Sequence, residues 1–315
     1  MTKCKGSADF VSVWGSVMSR IGQENSQIVM IDADLAKAAG SYPFRDAFPD
    51  RHFNVGISEQ DMLCFASGLA EAGKIPFVVS FGCFITQRGC DQIINAVAYN
   101  KSNVKMVGIG AGLTCAKNGG THMAIVDIAI MRSIPGLRVF DPADALEFGK
   151  IIEYTALMEG PVYIRSSRGM LPVIFDEDMV FHPGKAIILH EGKAAALITT
   201  GATTSEGILA CKALAEENIS IKHLHIPQLK PIDKEAIIQA ASETGRIVTC
   251  ENHSVIGGLG SSVTEVLSEA YPVPVYRLGL QDVFGETADF NYLKHKFGID
   301  ATAIKQKILE IIDNK

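Results

Sequence analysis

Short β-branched runs, mostly separated by one helix-like segment each, restrict this chain to an α/β architecture. QIVMIDADL (27–35) and FNVGI (53–57) precede the apolar helix that follows Glu59, and IPFVVSF (75–81) leads into QRGCDQIINAVAYN (87–100). NVKMVGIG (103–110), a glycine-rich loop, AIVDIAIMRSI (124–134), LRVFDPAD (137–144), ALEFGKIIEYTALME (145–159) and PVYIRSS (161–167) continue the alternation. Strands linked by crossover helices align in parallel, and helices then cover both faces of the sheet.

The pattern breaks at RGMLPVIFDEDMVFHPGKA (168–186), where prolines, glycines and charges follow no steady period. It resumes with AAALITTG (194–201), ISIKHLHI (219–226), RIVTCEN (246–252) and PVYRLGL (274–280), with helices near 204–217, 233–243 and 257–270. At 315 residues the chain exceeds one ordinary core. The expectation is two α/β domains, 1–168 and a smaller 193–315, linked by 169–192, the first with a mainly parallel sheet.

A net charge of −6 argues against a nucleic-acid surface, which needs a basic stripe. No apolar run approaches the roughly 18 residues of a membrane helix. MTKCKGSADF lacks the apolar stretch of a signal peptide. Seven cysteines without a CxxC pair fit reduced thiols. A cytoplasmic protein with no nucleic-acid or membrane partner is expected.

FNVGISEQDM (53–62) places a carboxylate, Glu59, where a strand-like run turns into the helix MLCFASGLAEAG. It could serve the helix N-terminus through the macrodipole, or hold a partner that offsets the cost of burial. SFGCF sets Phe81 and Phe84 at the C-terminal end of a parallel strand, the usual ligand edge of such sheets, where they could be core or wall a flat cofactor. GIGAGLTCAKNGGTHMA (108–124) has glycines that admit a ligand to the backbone, and His122 at its far end. It contains no GxGxxG, so a dinucleotide fingerprint is not supported. His122 could cap the next helix or act on a ligand. His223 and His225 share one face of a strand; a surface or domain contact is favoured over a metal pair, because no third ligand is placed. GGLGSS (257–262) could bind an anion, but close helix–strand packing is favoured. Asp32 or Asp34 could face a ligand or cap the loop after the first strand. Cys64, Cys83 and Cys90 read as small core residues.

Taken together, NVGISEQDM, SFGCFITQRGCDQ, NGGTHMAIVDIAIMRSIPGLRVFDPAD, GPVYIRSSR and ENHSVIGGLGSSVTEVL resemble the C-terminal half of a transketolase. Whole transketolases bind magnesium and thiamine diphosphate through a GDG…N motif, and no GDG occurs here. The resemblance therefore implies the second chain of a split transketolase, with a pyrimidine-binding domain and a C-terminal domain. The implied partner is an N-terminal chain carrying GDG…N, which holds Mg2+ or Ca2+ and the diphosphate, in an α2β2 heterotetramer.

By the same resemblance, Glu59 would hydrogen-bond N1′ of the aminopyrimidine and so promote removal of the thiazolium C2 proton. Phe84 would stack on the pyrimidine, with Phe81 helping to wall the pocket, and Ile57 would also be among the cofactor-binding residues. Asp34 would lie near the thiazolium. His122 would bind sugar oxygens and move protons, and Arg168 would reach an anionic end of the substrate; no metal ligand is expected in this chain. The sequence departs from the family at the sugar end. Val11, Ala38 (with Ser41 nearby) and Gly110 stand where an arginine, a serine and a histidine are usual, and Asn118, expected with His122 and Arg168 to bind substrate, replaces an aspartate that reads a sugar hydroxyl. The expected activity is transfer of a two-carbon ketol unit from a ketose, phosphorylated or not, to an aldose, with substrates other than the usual pentose-phosphate pair. The alternatives are the β subunit of a 2-oxoacid dehydrogenase, a deoxyxylulose-phosphate-synthase-like subunit, or a non-catalytic partner.

Overall fold

The structure, a computed structural model, describes residues 4–313. In the first half, β1 (Ser7–Asp9), β2 (Ile28–Asp32), β3 (His52–Asn54), β4 (Ile75–Phe81), β5 (Lys105–Ile109), β6 (Arg138–Phe140), β7 (Val162–Ser166) and β8 (Met170–Pro172) alternate with helices. The second half adds β9 (Ile187–His190), β10 (Ala196–Thr199), β11 (Lys222–His225), β12 (Gln228–Lys230), β13 (Ile247–Ser254) and β14 (Val275–Leu280).

One sheet runs β12-β6-β7-β5-β4-β2-β3 and the other β14-β13-β10-β11-β9. Both are parallel except at an edge, where β12 opposes β6 and β9 opposes β11. β2 is buried along its whole length and β4 from its second residue, as central strands covered on both faces must be.

Asp9 caps the helix Phe10–Glu24 by accepting the Ser12 N–H at 3.1 Å. The helix buries Phe10, Trp14, Met18 and Ile21 on one face, spacings of four, four and three. Phe10 packs on Phe148 with ring centroids 5.3 Å apart, joining this helix to Ala145–Leu157. Each such side chain contributes about 1.5–3 kcal/mol on burial. This helix is not anticipated from the sequence, nor is Ala301–Asp313 at the other end, which buries Ile304, Ile308 and Ile311.

The segment 169–192, expected as a connection, contains two strands: β8 pairs with β1 and β9 joins the second sheet. β12 leaves the second half altogether to close an edge of the first sheet. His223 and His225 are fully buried, not at the surface; His225 Nε2 meets Glu147 Oε2 at 2.8 Å, a contact between the two halves. Cys83 is buried as expected, but Cys64 is exposed on the outer face of Glu59–Glu71 and Cys90 is half-buried. None of the seven cysteines is bridged. No helix among the described residues is long and apolar enough to cross a membrane.

Candidate active site

The site lies at the C-terminal ends of β4 and β5. After β4 the chain enters a helical stretch widened by i→i+5 bonds at 84–88 and again at 93–98, on either side of an ordinary α-helical turn: Gly89 N–H reaches the Phe84 carbonyl at 3.3 Å and Tyr99 N–H reaches Ile94 at 2.9 Å. Such turns re-aim side chains and recur at functional sites. Phe81 ends the strand and Phe84 starts the wide turn, so both rings project from the same sheet edge.

After β5 the backbone turns at Gly110, with φ +76°. A Cβ there would lie 2.2 Å from Cys115 Sγ and 3.4 Å from the Phe81 ring, so no larger side chain fits this path. The loop then folds back and delivers His122. Its ring meets Phe84 at 5.1 Å and Phe81 at 5.3 Å, edge to face, while Phe81 and Phe84 are 5.6 Å apart. The Thr121 hydroxyl and His122 Nδ1 lie 3.0 Å apart, leaving Nε2 for a ligand.

Glu59 begins the helix Glu59–Glu71 and is 1% exposed. Its Oε1 accepts the Ser80 hydroxyl at 2.9 Å, and its Oε2 accepts Arg88 Nη1 at 2.5 Å. The Arg88 guanidinium lies over the Phe84 ring, 4.6 Å from its centroid. The burial of Glu59 is therefore offset within the chain by two donors not singled out from the sequence. One signal was present: Arg88 is the sole basic residue between Lys74 and Lys101.

On the other flank, Arg168 lies 5.5 Å over Phe81 and donates to Asn118 Oδ1 at 3.0 Å. Arg168 also lines a cavity of about 590 Å3 with Asp9, Val11, Asp34, Lys37 and Ala38. The two aspartates after β2 separate clearly. Asp32 is buried, accepting the Leu35 N–H at 2.9 Å and contacting His52 at 2.8 Å. Asp34 is exposed, with φ +61°, and is held by reciprocal 3.1 Å bonds with Asn54. Ile57 stands apart, 75% exposed at the chain's surface.

A buried ionic cluster carries the histidine loop. Arg165 donates to Asp127 Oδ2 at 2.8 Å, to Asp141 Oδ2 at 3.1 Å and to the carbonyls of Ala124 and Asn252. Tyr163 donates to the same Asp127 oxygen at 2.7 Å. GGLGSS packs as favoured: Glu251 accepts the Leu259 and Gly260 N–H groups at 2.6 and 2.9 Å, so the helix N-terminus is filled from within. Burial nevertheless pushes Glu251 up to about 7.

Phe81, Phe84 and His122 form one cluster, tied to Glu59 through Arg88 and to Asn118 through Arg168. Chemically it offers a dry carboxylate, an aromatic face, an imidazole and a cation bordering a cavity that can take a small polar molecule.

Comparison with known proteins adds the family context. Residues 7–173 match the transketolase pyrimidine binding domain and residues 184–304 the transketolase C-terminal domain. The 6-deoxy-6-sulfo-D-fructose transketolase subunit of Clostridium sp. (strain MSTE9) is 43% identical, over 93% of this chain and 91% of that one. An apulose-4-phosphate transketolase subunit of Actinobacillus succinogenes (strain ATCC 55618 / DSM 22257 / CCUG 43843 / 130Z) is 34% identical, over 90% and 92%. A solved split gene transketolase, an inactive beta4 tetramer, superposes with a TM-score of 0.89 at 40% identity, covering 98% of this chain and 99% of that one.

Proposed function

The chain belongs to the transketolase family, and from that premise we propose that it is the pyrimidine-binding subunit of a two-chain, thiamine-diphosphate-dependent transketolase. Residues 1–168 supply the pyrimidine side of the site, and 193–315 form the C-terminal domain that braces it. A second chain with the GDG…N motif supplies the diphosphate and metal site, two copies of each forming the enzyme in the cytoplasm.

One observation carries this reading: Glu59 and Phe84 jointly hold a planar, nitrogen-bearing group, here the guanidinium of Arg88. A carboxylate oxygen and an aromatic face so arranged suit an aminopyrimidine equally well. When bound, the cofactor supplies a carbanion-forming centre for the two-carbon transfer. Glu59 would share a proton at N1′, and the 1% exposure of its side chain keeps water from competing for that proton. Phe84 and Phe81 would hold the ring plane, and Asp34 would border the thiazolium side. His122, with Nδ1 occupied by Thr121, would present Nε2 to sugar hydroxyl oxygens.

The sugar's far end would enter the cavity beside Arg168, with Asn118 holding that guanidinium. Val11 and Ala38 leave this end roomier and less polar than a site with arginine and serine there. A substrate ending in an anion other than the ordinary pentose phosphate fits that change. A sulfo-sugar and apulose phosphate, named for two relatives, are the first substrates to try.

The test is reconstitution with the N-terminal chain and assay of ketol transfer. Activity should need both chains and vanish in Glu59→Ala while circular dichroism stays unchanged. Full activity of this chain alone, or near-normal turnover in Glu59→Ala, would sink the reading.

A further inference from the structure

Resting on the reading of Glu59 and Phe84 as the pyrimidine site, we infer that Arg88 is an internal stand-in for the aminopyrimidine, which the cofactor must displace to bind. The guanidinium makes the two contacts that ring would need, Nη1 to Glu59 Oε2 at 2.5 Å and Cζ 4.6 Å above Phe84. The neighbouring contacts crowd this position. Glu59 Oε1 already accepts the Ser80 hydroxyl, and Phe81 and His122 stand edge to face with Phe84 at 5.6 and 5.1 Å.

The side chain is free to leave. Arg88 is 43% exposed, its sole hydrogen bond among the described residues is to Glu59, and it sits in the widened turn 84–88 beside Gly89. Its departure alone would strand a carboxylate in a dry pocket, which is costly. Departure coupled to arrival of another donor is an exchange, with Glu59 paired before and after. Arg88 therefore keeps the empty pocket from collapsing or binding other cations, and lowers cofactor affinity by the fraction of time it spends in place.

The experiment measures thiamine binding to the full chain alone, by calorimetry and ligand-observed NMR, in wild type, Arg88→Leu and Arg88→Gln. Both variants should bind about tenfold more tightly, because the competent fraction rises. Unchanged or weaker binding in folded variants would overturn the inference. Should a variant fail to fold, wild-type protein with labelled arginine side chains decides the matter. The Arg88 Nε resonance should move to a solvent-exposed position on adding thiamine; a shift at Phe84 with none at Arg88 would reject displacement. Glu59→Gln and Phe84→Ala tell the pyrimidine site and the stand-in apart. If neither weakens thiamine binding, the pyrimidine-site reading falls and this inference with it; if both do and the Arg88 variants do not strengthen it, the stand-in role alone falls.

Discussion

Asn252 Oδ1 accepts the Leu113 N–H at 2.9 Å, fastening a strand of the C-terminal half to the loop that ends in His122. Its Nδ2 also donates to the Ala111 carbonyl at 3.1 Å. Gly112, between the two, passes so close that a Cβ would stand 2.2 Å from the Asn252 carbonyl oxygen. The second half of the chain thus shapes the loop that carries His122. In Asn252→Ala the Leu113 N–H loses its partner in a buried setting, and stability should fall by about 1–3 kcal/mol. Urea denaturation reads that loss; an unchanged midpoint would mean the loop holds its own shape.

Arg165, 1% exposed, is the centre of a cluster with two buried carboxylates. Replacing it with methionine leaves Asp127 and Asp141 uncompensated and should cost about 3–5 kcal/mol. Burial already pushes Asp141 up, against the pull of Arg165. The triple variant Arg165→Met, Asp127→Asn, Asp141→Asn should recover part of the loss, since removing the stranded charges removes the penalty. A triple variant no more stable than Arg165→Met would show that packing, not charge, sets the cost.

Burial holds His223 neutral, pushing it down to about 3, with His225 and His190 adding to the effect. Its folded-state value lies below the unfolded one near 6.5, so the unfolded chain binds the extra proton. The stability this confers is present above pH 6.5 and is lost as pH falls toward 3. Glu251, raised to about 7 by burial, acts in the opposite sense: its contribution is lost as pH rises from about 4.5 through 7. The difference between wild type and a folded His223→Gln variant isolates the histidine. Unfolding free energies across pH 4–6.5 should show a slope smaller in the variant by about one proton, or about 1.4 kcal/mol per pH unit. Equal slopes would mean His223 is protonated in the folded protein.

The layer class was readable because strands such as β4 are continuous apolar runs that only a two-sided sheet can bury; IPFVVSF forms the strand at the residues expected. Glu59, Phe81, Phe84 and His122 were singled out from the sequence as residues with either a structural or a ligand role, and the structure brings the two rings and the imidazole together. Arg88 and Ser80 were not, because their importance is a matter of which carboxylate they face, and that depends on a turn widened by i→i+5 bonding. β12 was equally hidden. Three residues before a proline carry no period, and their pairing with β6 is decided by how the halves dock. The histidine pair shows the same limit: its strand position was right, but burial against Glu147 came from the other half of the chain.

Arg168 gives the sharpest test of what lies at the sugar's far end. Its guanidinium is anchored by Asn118 at 3.0 Å and by the Phe81 ring, yet it still lines the cavity with Lys37. A hydrogen bond to a charged group is worth about 1.5–3 kcal/mol, so Arg168→Met should raise KM for an anion-ended ketose about 10- to 100-fold. A neutral ketose of the same length gains nothing from the guanidinium and should keep its KM. The ratio of the two KM values in the reconstituted enzyme therefore reports charge recognition, while a common fall in kcat would report displacement of the Asn118–His122 loop. If KM rises equally for both substrates, Arg168 only props the loop, and the anion must be held by Lys37 or by the second chain.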